Sequence, residues 1–179
     1  MKNYIIVVFF LLYINANAQM FKGLEYGMSR REAKKEFRKN TSEYDNVDFG
    51  NGFVWRLYTQ NFLYEDNNLV GVWFTPKGGA LGLTHKGATS YLEFTRVFFE
   101  DKNYTVFFEP EYWQYPINFN SMYGLLMHDS EKNIIVHLYP YQNGNTYNAY
   151  MKVFNYEWFM NVFDDYLKGL EQKSENSGF

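Results

Sequence analysis

Acidic side chains and aromatic rings coincide in one segment of this sequence, between Glu109 and Tyr115. Glu109 and Glu111 stand beside Tyr112, Trp113 and Tyr115. Paired carboxylates hydrolyse glycosidic bonds when they are held at a suitable separation. The segment therefore predicts, as one alternative, a carbohydrate-binding or glycan-processing protein that uses the three rings to bind sugar. A loop that anchors its rings in a hydrophobic core would have the same composition.

Metal sites and nucleophilic sites are not indicated by the other polar residues. The histidines His85, His128 and His137 have no partner histidine four residues away, and the chain has no cysteine. The best grouping, His128-Asp129 with Glu131, fits a solvated turn better than a metal site, because adjacent strand residues point apart. No G-x-S-x-G motif presents a serine nucleophile. We therefore expect no metal, no cofactor, no catalytic residue and a non-enzymatic role.

Composition limits the size and the partners of the protein. A chain of 179 residues with 46% hydrophobic residues is enough for one domain with a packed core. The aromatic fraction is 22%, with 17 Tyr and 18 Phe. The formal net charge of -3 provides no global attraction for phosphate backbones, so we expect no nucleic-acid partner.

The N-terminus has the pattern of a secretory signal peptide. Lys2 precedes an apolar run from Tyr4 to Ile14, and Ala16 and Ala18 form an A-x-A cleavage site. We expect residues 1–18 to be removed, which leaves no transmembrane segment. No cysteine follows the cleavage site, so the mature protein is not expected to be lipid-anchored. A small exported chain without disulfides indicates a bacterial protein that is periplasmic or secreted.

Three β-prone runs between Ser121 and Phe154 predict an antiparallel meander, with turns at 128–133 and 142–145. Side chains in a strand alternate between the two faces of the sheet. The buried face is expected to carry Ile134, Val136, Leu138, Tyr147, Ala149, Met151 and Val153, and the opposite face Ile135, His137, Tyr139, Asn148, Tyr150 and Lys152.

The opposite face of the meander is the predicted partner-binding surface. It carries His137, Tyr139 and Tyr150, with Tyr141 at its edge. Exposed rings of this kind often mark a protein-binding site. The other interpretation is that a second layer of the fold covers them.

Three helices are predicted around these strands. Ser29 and Glu32 have capping-box spacing, which predicts a helix to about Lys39 with a strongly basic outer face. That face can bind an anionic partner or membrane surface, or it can be a solvated exterior. The second helix is expected at 88–101, with Ser90 as its cap, and the third, at 156–170, is expected to lie on the sheet.

The order of these elements predicts an α+β fold, an antiparallel sheet with helices packed on one face. The single domain is expected to span 19–172, and two fused units of helix followed by strands, 19–75 and 88–172, are one interpretation of its origin. In the first unit, 43–74 reads as strands and turns. Residues 173–179 are expected to be a disordered tail.

The stretch Phe21-Lys22-Gly23-Leu24-Glu25-Tyr26-Gly27-Met28-Ser29-Arg30-Arg31-Glu32-Ala33 resembles the G-M-[ST]-x-x-E-[VA] helix opening of small exported bacterial domains. These are the outer-membrane assembly lipoproteins of the SmpA/OmlA type and the β-lactamase-inhibitor-like domains. The segment 63–70, LYEDNNLV, is similar to the strand-turn-strand that follows in them. The resemblance implies helices on an antiparallel sheet and a function in binding other proteins.

The sequence thus predicts a non-enzymatic, exported bacterial binding protein with a protein partner in the cell envelope. The surface expected to bind it contains His137, Tyr139, Tyr141 and Tyr150. A carbohydrate ligand at Tyr112, Trp113 and Tyr115 is the alternative. A purely structural role in the envelope is a third possibility.

Overall fold

The computed structural model describes residues 19–50, 52–79, 82–110, 113, 117, 119, 124–129 and 131–165. The predicted signal peptide and the predicted tail lie outside these residues. The described strands are β1 (Gln19–Phe21), β2 (Leu24–Glu25), β3 (Val47–Asp48), β4 (Val54–Glu65), β5 (Asn68–Pro76), β6 (Thr105–Phe108), β7 (Leu125–Asp129), β8 (Ile134–Asn143) and β9 (Thr146–Asn155). The described helices are α1 (Arg30–Lys39), α2 (Thr41–Asp45), α3 (His85–Asp101) and α4, over residues 156–165.

Seven of the strands form one antiparallel sheet in the order β3-β4-β5-β9-β8-β7-β6. Strands β3 to β5 come from the first predicted unit and β6 to β9 from the second. The two units meet where β5 pairs with β9, with Gly71 opposite Phe154 and Phe74 opposite Met151. The predicted α+β fold, an antiparallel sheet with helices packed against it, is confirmed.

The predicted meander is strands β7, β8 and β9. Its two turns contain residues in the left-handed region, Asn133 at φ 54° and Gly144 at φ 57°, a conformation that asparagine and glycine adopt more readily than other residues. Strands β8 and β9 then pair without interruption from Ile134 opposite Asn155 to Asn143 opposite Thr146. The first turn begins later than predicted, because β7 continues through Asp129.

The first face of the sheet packs against α1, α2 and α3. In α1 the predicted capping box between Ser29 and Glu32 is present, and Ala33 is buried against the core. The ring of Phe37 stacks on Tyr44 of α2 at 5.1 Å. Helix α2 falls in a segment that was predicted to start a run of strands, and its Tyr44 hydroxyl donates to the carbonyl of Lys22 at 2.6 Å.

Helix α3 begins earlier than the sequence predicts. Thr84 is extended, and its Oγ1 accepts a hydrogen bond from the Gly87 amide at 3.1 Å, so it is the N-cap. The prediction that Ser90 caps this helix is wrong, because Ser90 lies more than one turn inside it. The buried face of α3 includes Thr95, whose hydroxyl accepts from the indole nitrogen of Trp55 in β4 at 3.0 Å.

Helix α4 packs on the second face. Phe154 and Val153 are adjacent in β9 and therefore point to opposite faces. The ring of Phe154 lies 5.6 Å from that of Trp158 and 5.5 Å from that of Phe159. Asn155 starts α4, since its Oδ1 accepts from the Trp158 amide at 2.9 Å. The described helices thus cover both faces of the sheet, whereas the sequence predicted helices on one face only. The difference arises because Phe154 points away from the face that packs on the other helices and gives α4 its contact. None of the described helices has the length and apolarity needed to span a membrane.

Candidate functional site

The second face of the sheet has two ends. At the covered end, Ile135 and Phe154 are buried, and the α4 rings lie against Phe154. Every second residue of β8 lies on this face, so His137, Tyr139 and Tyr141 follow Ile135 there. Their partners in β9 are Lys152, Tyr150 and Asn148, in that order. Alternation along paired strands thus places all four residues predicted to bind a partner on one surface.

Ring contacts and strand pairing join five residues into one surface, which we call the aromatic patch: Trp73, His137, Tyr139, Tyr141 and Tyr150. The ring contacts form two groups, and the pairing of Tyr139 opposite Tyr150 connects them. The rings of His137 and Tyr139 are 5.6 Å apart, and those of Tyr141 and Tyr150 are 6.0 Å apart. Trp73 adds a third contact, 5.2 Å from Tyr150. Tyr141 is 41% exposed, and the other four are partly exposed.

Trp73 was not predicted to be part of the surface. Side chains alternate along β5, so Trp73 points away from the face that carries Val72 and Phe74 and lies on the second face. The signal that was missing is the pairing of Trp73 with Lys152, since β5 and β9 are far apart in the chain. No local pattern in either strand specifies that partner.

Lys152 supplies the positive charge of this surface. Its ammonium lies 5.5 Å from the centre of the Tyr139 ring, within the range of a cation–π contact. Burial lowers the pKa of Lys152, because the charged form loses hydration. Burial likewise raises the pKa of Tyr150, with a further contribution from Tyr141 and Tyr139, so its hydroxyl stays protonated and can donate.

His137 is a neutral part of the patch. Desolvation, together with a smaller contribution from the nearby charge of Lys152, lowers its pKa to about 3. The ring lies against Gly124, where an added Cβ would stand 2.4 Å from His137 Nε2 and 2.3 Å from the Leu138 carbonyl oxygen. His137 therefore supports the ring of Tyr139 and does not act as a cation.

A polar depression of about 430 Å³ adjoins the patch at Tyr150. Its lining includes Arg56, Tyr58, Thr75 and Asn148. Arg56 Nη1 donates to the Tyr58 hydroxyl at 2.6 Å, and its guanidinium lies 5.4 Å from the centre of the same ring. The rim of the patch is therefore polar and rich in hydrogen-bonding groups.

The alternative glycan-binding segment has a different environment. Trp113 is 4% exposed and belongs to the hydrophobic core, together with Ile117 and Phe119. Its buried ring is not available to stack on a sugar at the surface. Glu109 is held by Arg96 Nη1 at 2.7 Å. Tyr112, Tyr115 and Glu111 lie outside the described residues.

The turn after β7 is organised by a carboxylate. Asp129 Oδ1 accepts hydrogen bonds from the amides of Glu131 and Lys132, both at 3.1 Å, and Asp129 also pairs with the Lys132 ammonium. Within the described part of the chain, no group of three or more His, Asp or Glu side chains is placed to hold a metal ion.

Comparisons with known proteins add no relative to this description. No protein-family model, no curated protein and no solved structure matches the chain.

Proposed function

We propose that this is a non-enzymatic binding protein that docks a protein partner of the bacterial cell envelope through the aromatic patch. One observation carries the proposal: Trp73, Tyr139, Tyr141 and Tyr150 form a contiguous cluster on the end of a sheet face whose other end is covered by α4. The rings are accessible in the free protein, although the same face is buried a few residues away.

The composition of the patch suits a protein interface. Tyr and Trp contribute large contact areas with few rotatable bonds, and they are enriched among the residues that dominate binding energies. Arg56 and Asn148 in the adjoining depression provide a polar rim around the rings. The predicted signal peptide supports a location in the cell envelope, and the resemblance to exported protein-binding domains agrees with this role.

The test is affinity capture from gently crosslinked cells of the host, with bound proteins identified by mass spectrometry. We expect one stoichiometric envelope protein, which is lost when Tyr139 and Tyr150 are both replaced by Ser. The matched control is Tyr26→Ser, because Tyr26 has the same 41% exposure as Tyr141 but lies outside the seven-stranded sheet. Thermal unfolding of each variant verifies that the fold is intact.

Two results would contradict the proposal. One is recovery of no protein above background by the unchanged chain. The other is a partner that the Tyr139 and Tyr150 double variant captures as well as the Tyr26 control does.

A carbohydrate ligand is the second candidate. The polar depression is a better place for it than the segment around Trp113, because the ring of Trp113 is buried. Tyr58 and Tyr150 supply rings, and Arg56, Thr75 and Asn148 supply hydrogen-bonding groups. A glycan array tests this candidate. Binding that is lost in Tyr58→Ala and kept in Tyr26→Ala would support it, and an array without signal would exclude the glycans presented.

A further inference from the structure

Helix α1 carries its positive charges on one half of its circumference. Successive residues are rotated by about 100° around a helix. The six basic residues therefore occupy a continuous arc of about 180°, which we call the basic arc: Arg30, Arg31, Lys34, Lys35, Arg38 and Lys39. Ala33 and Phe37, which lie outside this arc, pack against the core.

The two acidic residues of α1 are engaged at the ends of the helix. Glu32 Oε2 accepts from the amide and the hydroxyl of Ser29, at 2.9 and 2.7 Å. Glu36 accepts from Lys39 at 2.7 Å and from Asn40 at 2.9 Å. Neither carboxylate pairs with the central residues of the basic arc.

Five cations of the arc have no ion-pair partner among the described residues. No carboxylate in that part of the chain lies within 4.0 Å of the charged groups of Arg30, Arg31, Lys34, Lys35 or Arg38. The chain as a whole has a formal net charge of -3. The arc is therefore a positively charged surface on a negatively charged chain, and it attracts anions that approach this side of the molecule.

The geometry of the arc fits an extended anionic surface better than a single anion. Five of its side chains surround an open space of about 440 Å³, and they are distributed over a helix of 10 residues, about 15 Å long. The helix positions of the arc carry no aromatic or amide side chain to recognise a base or a sugar, and the Arg30 guanidinium lies 4.5 Å from the centre of the Tyr64 ring. The arc also carries no large apolar side chain that could insert between lipid chains.

We propose that the basic arc docks the protein on the headgroups of an anionic phospholipid bilayer, by electrostatic attraction and without insertion. A planar array of phosphates can contact the whole arc at once, and the predicted export places the chain beside a membrane surface. Because α1 packs on the first face of the sheet, docking would direct the aromatic patch on the second face away from the membrane. The proposal concerns a different surface from the proposed partner site and stands independently of it.

Vesicle sedimentation tests this proposal on the full chain. Vesicles of phosphatidylcholine alone are compared with vesicles that also contain phosphatidylglycerol, at low and at high salt. We expect binding only to the anionic vesicles and loss of that binding at high salt, because counterions screen surface charges. The leader, which carries Lys2 as well as its apolar run, is the same in every variant, so its contribution cancels when variants are compared.

Variants then locate the contact. Replacing Arg31 and Lys35 by Glu should weaken binding to anionic vesicles by at least about 30-fold, since each basic residue near an anionic surface contributes roughly fivefold. The matched control replaces Lys86 and Lys102 by Glu, because both are exposed and lie off the arc, and the net charge changes equally. Binding at the partner site, measured in parallel, should be unaffected by either pair.

Three outcomes would overturn the proposal. The first is equal binding to neutral and anionic vesicles. The second is an equal loss of binding in the arc variant and in the control variant, which would show an effect of net charge alone. The third is tighter binding to duplex DNA or to an acidic peptide than to anionic vesicles, which would assign the arc to a different polyanion.

Discussion

The two ends of the second sheet face are built from the same strands but differ in side-chain chemistry. Along β8 this face carries Ile135, His137, Tyr139 and Tyr141 in succession, and the paired residues of β9 change from Phe154 through Lys152 and Tyr150 to Asn148. Apolar side chains lie where α4 packs, and amphipathic ones lie beyond it. The comparison shows that the side chains of two strands can determine how much of a sheet face a helix covers, because their polarity increases along the strands.

Tyrosine makes the open end of this gradient stable in water. Its ring can pack against neighbouring rings while the hydroxyl stays hydrated, so a Tyr-rich surface does not need a cover. Phe154 has no such polar group, and only 8% of it is exposed. We therefore expect substitutions at the covered end to change stability strongly and substitutions at the open end to change it weakly.

The largest effect is expected for Phe154→Ala at the covered end. Removing this ring leaves a cavity between the sheet and the Trp158 and Phe159 rings, and such a change typically lowers the free energy of unfolding by about 3 to 5 kcal/mol. Urea denaturation measures the loss. A loss below about 1 kcal/mol would mean that α4 does not act as a cover, because Phe154 would then be hydrated in the folded protein.

An intermediate, pH-dependent effect is expected from His137, at the boundary between the two ends. Its pKa is lowered from 6.5 to about 3, so below pH 6.5 the unfolded chain binds a proton that the folded protein does not. Stability therefore falls as the pH decreases, by about 1.4 kcal/mol per pH unit well below 6.5. The charged and titratable neighbours of His137 are Lys152, whose positive charge lowers the His137 pKa in the same direction as burial, and Tyr139, whose ring contacts the imidazole.

His137→Gln should remove this slope. Unfolding free energies of both proteins are measured from pH 6.5 down to 4.5. Protonation of the carboxylates is common to both proteins, so it cancels in the difference between them. The slopes of the two curves of unfolding free energy against pH should differ, at pH 4.5, by an amount that corresponds to nearly one proton taken up on unfolding. Parallel curves would show that the His137 ring is hydrated and that the boundary lies closer to α4.

The smallest effect is expected for Tyr141→Ala at the open end. Tyr141 is 41% exposed, and its contact with Tyr150 is a tilted one at 6.0 Å. Substitution of an exposed residue of this kind changes stability by no more than about 0.5 kcal/mol. If urea denaturation instead gave a loss comparable to that of Phe154→Ala, the open end would be a packed layer and not an accessible surface.

Local patterns predicted the elements of the fold, and non-local contacts set the rest. The capping box of Ser29 and Glu32 and the alternation of Ile134, Val136 and Leu138 are visible within a few residues, and both appear in the structure. The pairing of β5 with β9 depends on the packing of the whole sheet, so the place of Trp73 beside Tyr150 could not be read from either strand.

The burial of Trp113 could not be predicted from the sequence for the same physical reason. A ring in a loop can be buried or exposed without any change in the local pattern, and only its contact with distant core residues decides which. The α3 boundary shows a smaller ambiguity. Thr84 and Ser90 can both cap a helix, and the choice of Thr84 depended on the backbone conformation before His85.

The strand order also has a consequence for biosynthesis. Strand β5 pairs with β4 on one side and with β9 on the other, so one of its edges stays unpaired until residue 155 has left the ribosome. We expect the nascent chain to remain incompletely folded for most of its translation, because a long-range strand pairing must close last. An unpaired central strand gives chaperones a long interval in which to bind the chain before it folds.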